Sequence, residues 1–415
     1  MLNTFYVGID VSKSNNSIFV MDSCGDKVFR KTIANSSLAT SSFLNDLCKL
    51  DDASSSFFHF GLEATGKYGE HLAMFIRQSD AIDSKRKSVH VLNAKQVKRF
   101  KDSYPEIPKT DSIDAFVIAD CLRFGRIGQK GTFMDDVFYA LKHLTRLRFQ
   151  YSHDLTREKN RYLNTLFMKF STMAQLQASS DKLFSDTYGN TAMNLVNDFY
   201  SVDEIAYADI ETLAEYLQKH SKNHFADPIA LSNEIQKAAR SSYQLPRTVQ
   251  DSVNQVLAIQ TNMIRLFEKQ LKDIDKLIKK QIEVLPQKNI LLSIPGIGPV
   301  YAAGIISEIG DISRFDNDAA LAKYAGLSWN ANQSGSFIAD NTPGIQSGNR
   351  YFRYYLLEAT NKIRLHEPEI GDFYSKKYAE TQKTPHKRAL VLTARKVVRL
   401  LYSLLKNNRL YARTI

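Results

Sequence analysis

Cysteine is almost missing from this chain: three in 415 residues, Cys24, Cys48 and Cys121, with no CxxC pair. That excludes a disulfide framework and a cysteine-built zinc site. Glycine and proline, 18 and 10 residues, fall well below ordinary usage, which favours helix outside any sheet domain. No run approaches the roughly 18 apolar residues that a membrane span needs, so no membrane partner is expected. Asp10 and Lys13 interrupt the first apolar stretch, which therefore does not read as a signal peptide. A reducing, bacterial-type cytoplasm is the expected setting.

What the chain has is positive charge, and it is concentrated. The formal net charge is +11, and Asn349 to Ile415 alone carries fifteen Lys/Arg against five Asp/Glu. A second block, Lys85 to Lys101, holds seven basic residues, Lys95, Lys98 and Arg99 among them, and no acid. A solvated helical face is the plain alternative, but basic density of this kind points to a polyanion, and nucleic acid is the commonest. Arg350 and Arg353 share a helical stretch with Tyr351, Phe352, Tyr354 and Tyr355. Lys387, Arg388 and Arg395 flank Leu390, Val391, Leu392 and Val397. The apolar members read as core and the cations as a phosphate-facing surface that positions nucleic acid without reading its sequence.

A length of 415 residues predicts two or three domains. Residues 4–12, 16–22 and 26–33 read as three short strands of an antiparallel meander, followed by a helix around Phe43 to Leu50. A strand at 57–63, a helix at 69–79, a strand at 88–92 and helices at 94–102 and 112–125 complete an α/β layered domain over 1–131. Asp10 ends the apolar run Phe5 to Ile9, and Glu63 ends Phe57 to Leu62. Asp111 and Asp114, three residues apart at the start of an apolar-periodic run, fall on one helix face. For such a pair taken alone, an N-cap and a first-turn acid are the likelier roles. In a sheet where the strands of Asp10 and Glu63 lie side by side, which spacing alone does not show, the four carboxylates would supply the hard oxygen ligands that Mg2+ takes for phosphodiester chemistry.

Beyond 131 the texture is helical. From Val137, Leu141, Leu144, Tyr151, Leu155, Tyr162, Leu166 and Phe170 form a near-heptad, coiled-coil-like seam. From Val249, Val253, Val256, Ile259, Met263, Phe267, Leu271, Ile274 and Ile278 form an amphipathic stripe. The two long helices are expected to pair antiparallel, within the chain or between protomers, and a polar, helix-prone insert, 171–248, separates them. Its aromatics read as core, with a nucleic-acid-binding surface as the alternative. The region spans 132–285, and a mainly helical domain, 286–415, follows. Its turn Pro295-Gly296-Ile297-Gly298-Pro299 resembles a helix-hairpin-helix turn, where Gly296 and Gly298 let backbone N–H groups approach a phosphate; a turn that merely joins two helices is the equal alternative on mechanism alone.

Gly8-Ile9-Asp10-Val11-Ser12-Lys13, Leu62-Glu63-Ala64-Thr65-Gly66 and Lys109-Thr110-Asp111-Ser112-Ile113-Asp114-Ala115 resemble, in order and spacing, the three motifs of the DEDD transposases of bacterial insertion sequences. The stretches 293–300, 309–315 and 321–327 continue the resemblance into that family's C-terminal domain. The resemblance implies an RNase-H-like (RuvC-like) N-terminal domain with Asp10, Glu63, Asp111 and Asp114 as catalytic metal-binding acids. It implies a serine nucleophile in a Gln-Ser-Gly context, which Ser334 matches; Ser336 and Ser347 are rivals, though Gly348-Asn349-Arg350 aligns better with a downstream Gly-Asn motif. It further implies donor and target DNA as partners, a structured guide (bridge) RNA, a dimer or tetramer, and association with the nucleoid. One departure stands out: Phe337 to Gln346 has no basic residue, where the family usually has some, and includes Asp340. Two other readings stay open, a RuvC-like endonuclease using water and a non-catalytic nucleic-acid-binding protein.

Overall fold

The computed structural model describes residues 3–50, 56–64, 66–105, 110–125, 134–177, 179–328, 333–334, 337–338 and 348–413. Strands β1 (Thr4–Val11), β2 (Asn15–Met21) and β3 (Lys27–Ala34) lead to α1 (Ser37–Cys48), β4 (Phe57–Glu63), α2 (Tyr68–Gln78), β5 (Lys87–Leu92), α3 (Ala94–Lys101) and α4 (Asp111–Arg123). The sheet order is β3-β2-β1-β4-β5, antiparallel through the meander and parallel from β1 to β5. The strands and helices expected from the sequence are therefore present, and the sheet is mixed.

Side-chain alternation assigns the two faces. Val7, Val20 and Phe29 stand in one register row, and Phe29 meets Phe43 of α1 ring to ring at 6.3 Å. Phe58, Phe60 and Leu62 complete that fully buried face. The other face carries Gly8, Phe19 and Gly61 in one row, with Phe19 edge-on to Phe116 of α4 at 5.2 Å. Here α4 lies almost on the strands. A Cβ on Gly8 would sit 2.1 Å from the Ala115 carbonyl oxygen and 2.4 Å from the Ala119 nitrogen. One on Gly61 would meet the Leu122 side chain at 2.5 Å. Leu92, Val97, Val117, Ile118, Cys121 and Leu122 fill the layer among sheet, α3 and α4.

The remaining elements are α5 (Asp136–Lys169), α6 (Ser171–Leu176), α7 (Asn190–Asp198), α8 (Val202–Ala206), α9 (Ile210–Ser221), α10 (Pro228–Arg240), α11 (Arg247–Gln281), α12 (Gln287–Leu292), α13 (Pro299–Ile309), α14 (Asp318–Ala325), β6 (Gln333–Ser334), β7 (Phe337–Ile338), α15 (Arg350–His366), α16 (Pro368–Ala379) and α17 (Pro385–Lys406). Two compact units partition the chain. One comprises Met1–Phe138, Ile309–Gly348 and Arg395–Arg409; the other comprises Tyr139–Glu308, Asn349–Ala394 and Leu410–Ile415. Among the described residues no helix is long and apolar enough to cross a membrane.

In the second unit α5 and α11 run antiparallel, since Arg148 pairs with Asp275 at 2.5 Å and Lys159 with Glu268 at 2.8 Å. Helices α6 to α10 enclose a core of Tyr162, Leu166, Phe170, Leu213, Leu217 and Ile235 with Val253, Leu257 and Ile264. Of the insert's aromatics Phe184, Tyr188, Phe199, Tyr216 and Phe225 pack into or against it, whereas Tyr207 and Tyr243 are exposed, against the expectation of core. The stripe expected on α11 is off phase in its middle: Val256, Ile259 and Met263 are exposed, whereas Leu257 and Ile264 are buried. Both faces of that stretch are apolar, and only the packing partners choose between them. Lys169, 1% exposed, donates to the Val196 and Phe199 carbonyls at the end of α7, and burial pushes it down to about 8. Fully buried Glu308 accepts two bonds from Arg146, at 2.6 and 2.9 Å, and one from Asn349, whose own carbonyl oxygen caps α15.

The two glycines of the sheet should not be equally replaceable. Gly8→Ala drives a methyl into helix backbone that has nowhere to go, and should cost about 3 kcal/mol or more; Gly61→Ala meets a leucine side chain able to change rotamer, and should cost about 1 kcal/mol. Urea denaturation midpoints of the two variants check the order.

Candidate active site

Three local structures bring the acids to one end of the sheet. Parallel pairing of β1 with β4 aligns Ile9 with Leu62, so Asp10 and Glu63 follow as neighbours on the face that α4 covers. Thr110, extended and without a side-chain cap bond, is the N-cap of α4, so Asp111 and Asp114 both lie in its first turn. The N-cap reading of Asp111 is thus replaced by a position one residue inside the helix. The close approach at Gly8 sets that first turn over the strand ends.

The electrostatics record the convergence. Burial and then the charges of Asp114 and Asp111 push the Asp10 carboxyl above its ordinary range. Burial and then Asp10 and Asp114 do the same to Glu63. Lys101, the last residue of α3, opposes both shifts, and its Nζ lies 2.5 Å from Asp114 Oδ1. Among the described residues no group of three or more His, Cys, Asp or Glu side chains is disposed to hold a metal ion. The donor set is nevertheless of the kind that suits one: the four carboxylates are hard oxygen donors, and burial and neighbouring acids push Asp10 and Glu63 up while Lys101 opposes them.

Ser334 lies in the two-stranded hairpin of β6 and β7, opposite Phe337, within the same unit as the acids. Ser336, Asp340 and Ser347 lie outside the described residues. The base of this segment is pinched. A Cβ on Gly348, at φ +134°, would sit 2.5 Å from the Gly326 nitrogen, and Gly326 ends α14 in the left-handed conformation.

The candidate nucleic-acid contacts differ in their freedom. Lys95, Lys98 and Arg99 are exposed on α3, Arg350 is exposed at the start of α15, and Arg353 is half-buried. Exposed Lys387 and Arg388 occupy the first turn of α17, which has no acid, so cations sit where the helix dipole disfavours them unless an anion is present. Arg395, by contrast, is held by Asp318 at 2.8 Å. Gly296, at φ +93°, is needed because its Cβ would lie 2.8 Å from the backbone of Lys362 and Ile363; Gly298 faces open space at the start of α13. Sequence reasoning counted Lys101 as one more cation of the basic block. Its position at the end of α3, the helix just ahead of the paired aspartates, was the available signal.

The sheet, its acids and the helical C-terminal part define a class when set beside known proteins. A transposase family model matches residues 7–170, and one described as the IS116/IS110/IS902 transposase family matches 288–375, together more than half of the chain. The 44.8 kDa protein of insertion element IS116 from Streptomyces clavuligerus is 23% identical over 98% of this chain and 96% of its own length. The 42 kDa protein of IS900 from Mycobacterium paratuberculosis is 23% identical over 99% and 98%. The pilin gene-inverting protein of Moraxella bovis is 27% identical over 37% of this chain and 48% of its own. The protein is thus a transposase or recombinase, an enzyme that acts on DNA. It belongs to the IS110 family of DEDD transposases.

Because folding raises the Asp10 and Glu63 pKa, their ionised forms cost stability in the folded protein. The cost is absent below the unfolded value near pH 4 and grows as pH rises through the folded pKa. Asp10→Asn should therefore raise the melting temperature in EDTA at pH 7, on the order of 2 °C. The gain should vanish near pH 4 and shrink in saturating Mg2+. Scanning calorimetry checks it, and a lowered melting temperature in EDTA would refute it.

Proposed function

We propose that this transposase cuts and rejoins DNA through Ser334, assisted by Asp10, Glu63, Asp111 and Asp114 acting together as a Mg2+ site. What supports the reading most is a single observation: carboxylates from β1, β4 and α4 lie near enough to raise the pKa of Asp10 and Glu63. Mg2+ held there supplies electrophilic stabilisation of charge on the phosphodiester oxygens. The protein's own part is to bind, orient and attack. The Ser334 oxygen forms a bond to phosphorus as one strand P–O bond breaks. The departing strand oxygen takes up a proton to replace the one serine gives up. The phosphoserine link conserves the bond energy for rejoining, which water as nucleophile would not do.

In this reading residues 1–131 form a RuvC-like domain, 132–285 a coiled-coil region with insert 171–248, and 286–415 the C-terminal transposase domain with a helix-hairpin-helix-like turn. Lys95, Lys98, Arg99, Arg350, Arg353, Lys387 and Arg388 bind phosphate, with the backbone at Gly298. Cations in the first turn of α17, which has no acid of its own, support that assignment. Arg395 acts through its pair with Asp318. The family resemblance alone supports a dimer or tetramer and a bridge RNA that pairs with donor and target DNA, so that pairing reads sequence while protein reads backbone.

Denaturing electrophoresis of the protein incubated with Mg2+, labelled cognate DNA and its co-purifying RNA tests the proposal. A covalent protein–DNA adduct is expected, lost in Ser334→Ala and reduced at least about 100-fold in Asp10→Asn and Asp111→Asn. Cleavage unaffected by Ser334→Ala would establish hydrolysis instead, and DNA cut equally well by the Asp variants would remove the acids from the chemistry.

A further inference from the structure

Lys101 is placed with more care than a surface cation needs. It ends α3, a helix begun by an Asn93 cap and held by buried Val97 and by Phe100, which packs edge-on to Tyr104 at 5.7 Å. Tyr104 in turn donates to Asp120 of α4, so the stem of Lys101 is fixed relative to the helix that carries Asp111 and Asp114. Its ammonium meets Asp114 at 2.5 Å, with the two side chains 22% and 28% exposed. An ion pair as open as this adds little to stability. A dication drawn to the four gathered acids can take Asp114 only if the ammonium yields it. Lysine suits such a role: its charge is a point on a flexible four-carbon stem that can swing, whereas arginine would hold a carboxylate by a two-bond fork.

We infer that Lys101 is the resident counter-cation of the acid cluster, that an arriving divalent ion displaces it from Asp114, and that the released ammonium then positions the substrate phosphodiester. The inference rests on the Mg2+ reading above. Loading of the site becomes an exchange of one cation for another, so the empty acids are never left wholly unanswered. The group set free by loading has the charge that a phosphate oxygen seeks.

Isothermal titration of the full-length protein with Mn2+, without nucleic acid, separates the possibilities. Lys101→Met should bind Mn2+ about tenfold more tightly than wild type, because no internal cation competes. Lys101→Arg should bind no more tightly than wild type, and Asp114→Asn more weakly. At saturating Mn2+, Lys101→Met should show a raised KM for DNA. Lys101→Gln, with circular dichroism as a check of folding, repeats the test should the methionine variant fold poorly. Affinity unchanged in both neutral variants, with Asp114→Asn still weakened, overturns the displacement alone. Tighter binding with an unchanged KM overturns the phosphate role. Absence of Mn2+ binding to wild type removes the metal reading and this inference with it.

Discussion

The contact between Gly8 and the backbone of α4 is the constraint from which the rest of the site follows. Helices usually rest on sheets through layers of side chains. Here the helix reaches the strand itself, with room for nothing larger than hydrogen at Gly8. That proximity brings the first turn of α4 toward the carboxyl ends of β1 and β4, so that carboxylates from three elements act electrostatically on one another. Had α4 stood off by the width of one more side chain, Asp114, half-buried here, would turn toward solvent as Asp111 already does, and the pair would be no more than the first-turn acids that their spacing alone suggests.

The gathered charge runs against folding. Asp10 and Glu63 are held above their usual pKa by burial and by each other's neighbours, so the apolar layer beneath must carry a local penalty. That layer is well made: Val117, Ile118 and Ala119 of α4 are fully buried, as are Val7 and Ile9 of β1. Stability and chemistry are thus assigned to different faces of the same elements, with one turn of α4 given over to charge and the next turns to packing. A local penalty backed by a dense core is how strain persists at functional sites generally.

Much of this was legible in the sequence. The strands ended by Asp10 and Glu63, the helix opened by Asp111 and the long helices α5 and α11 all announce themselves by period, and the three motifs carry the family. What period cannot show is which of two apolar faces a helix buries. On α11 Val256, Ile259 and Met263 form as good a stripe as Leu257 and Ile264, and the latter are buried because the insert and α5 lie on their side. Nor can spacing reveal partners distant in sequence. Arg395 reads like any other cation of the C-terminal block until Asp318 is seen to hold it, and Lys101 reads as a phosphate contact until Asp114 is seen beside it.

The Gly-Asn pair at 348–349 shows how a motif can carry two separate physical demands. Gly348 meets the demand for close approach: a Cβ there would sit 2.5 Å from the Gly326 nitrogen, so only glycine lets the two backbones meet. Asn349 meets a hydrogen-bonding demand, its carbonyl oxygen accepting from Tyr351 and Phe352 while its amide donates to buried Glu308, which two Arg146 bonds hold ionised. A residue that packs against backbone cannot also reach out to a carboxylate, so the two tasks fall to two positions.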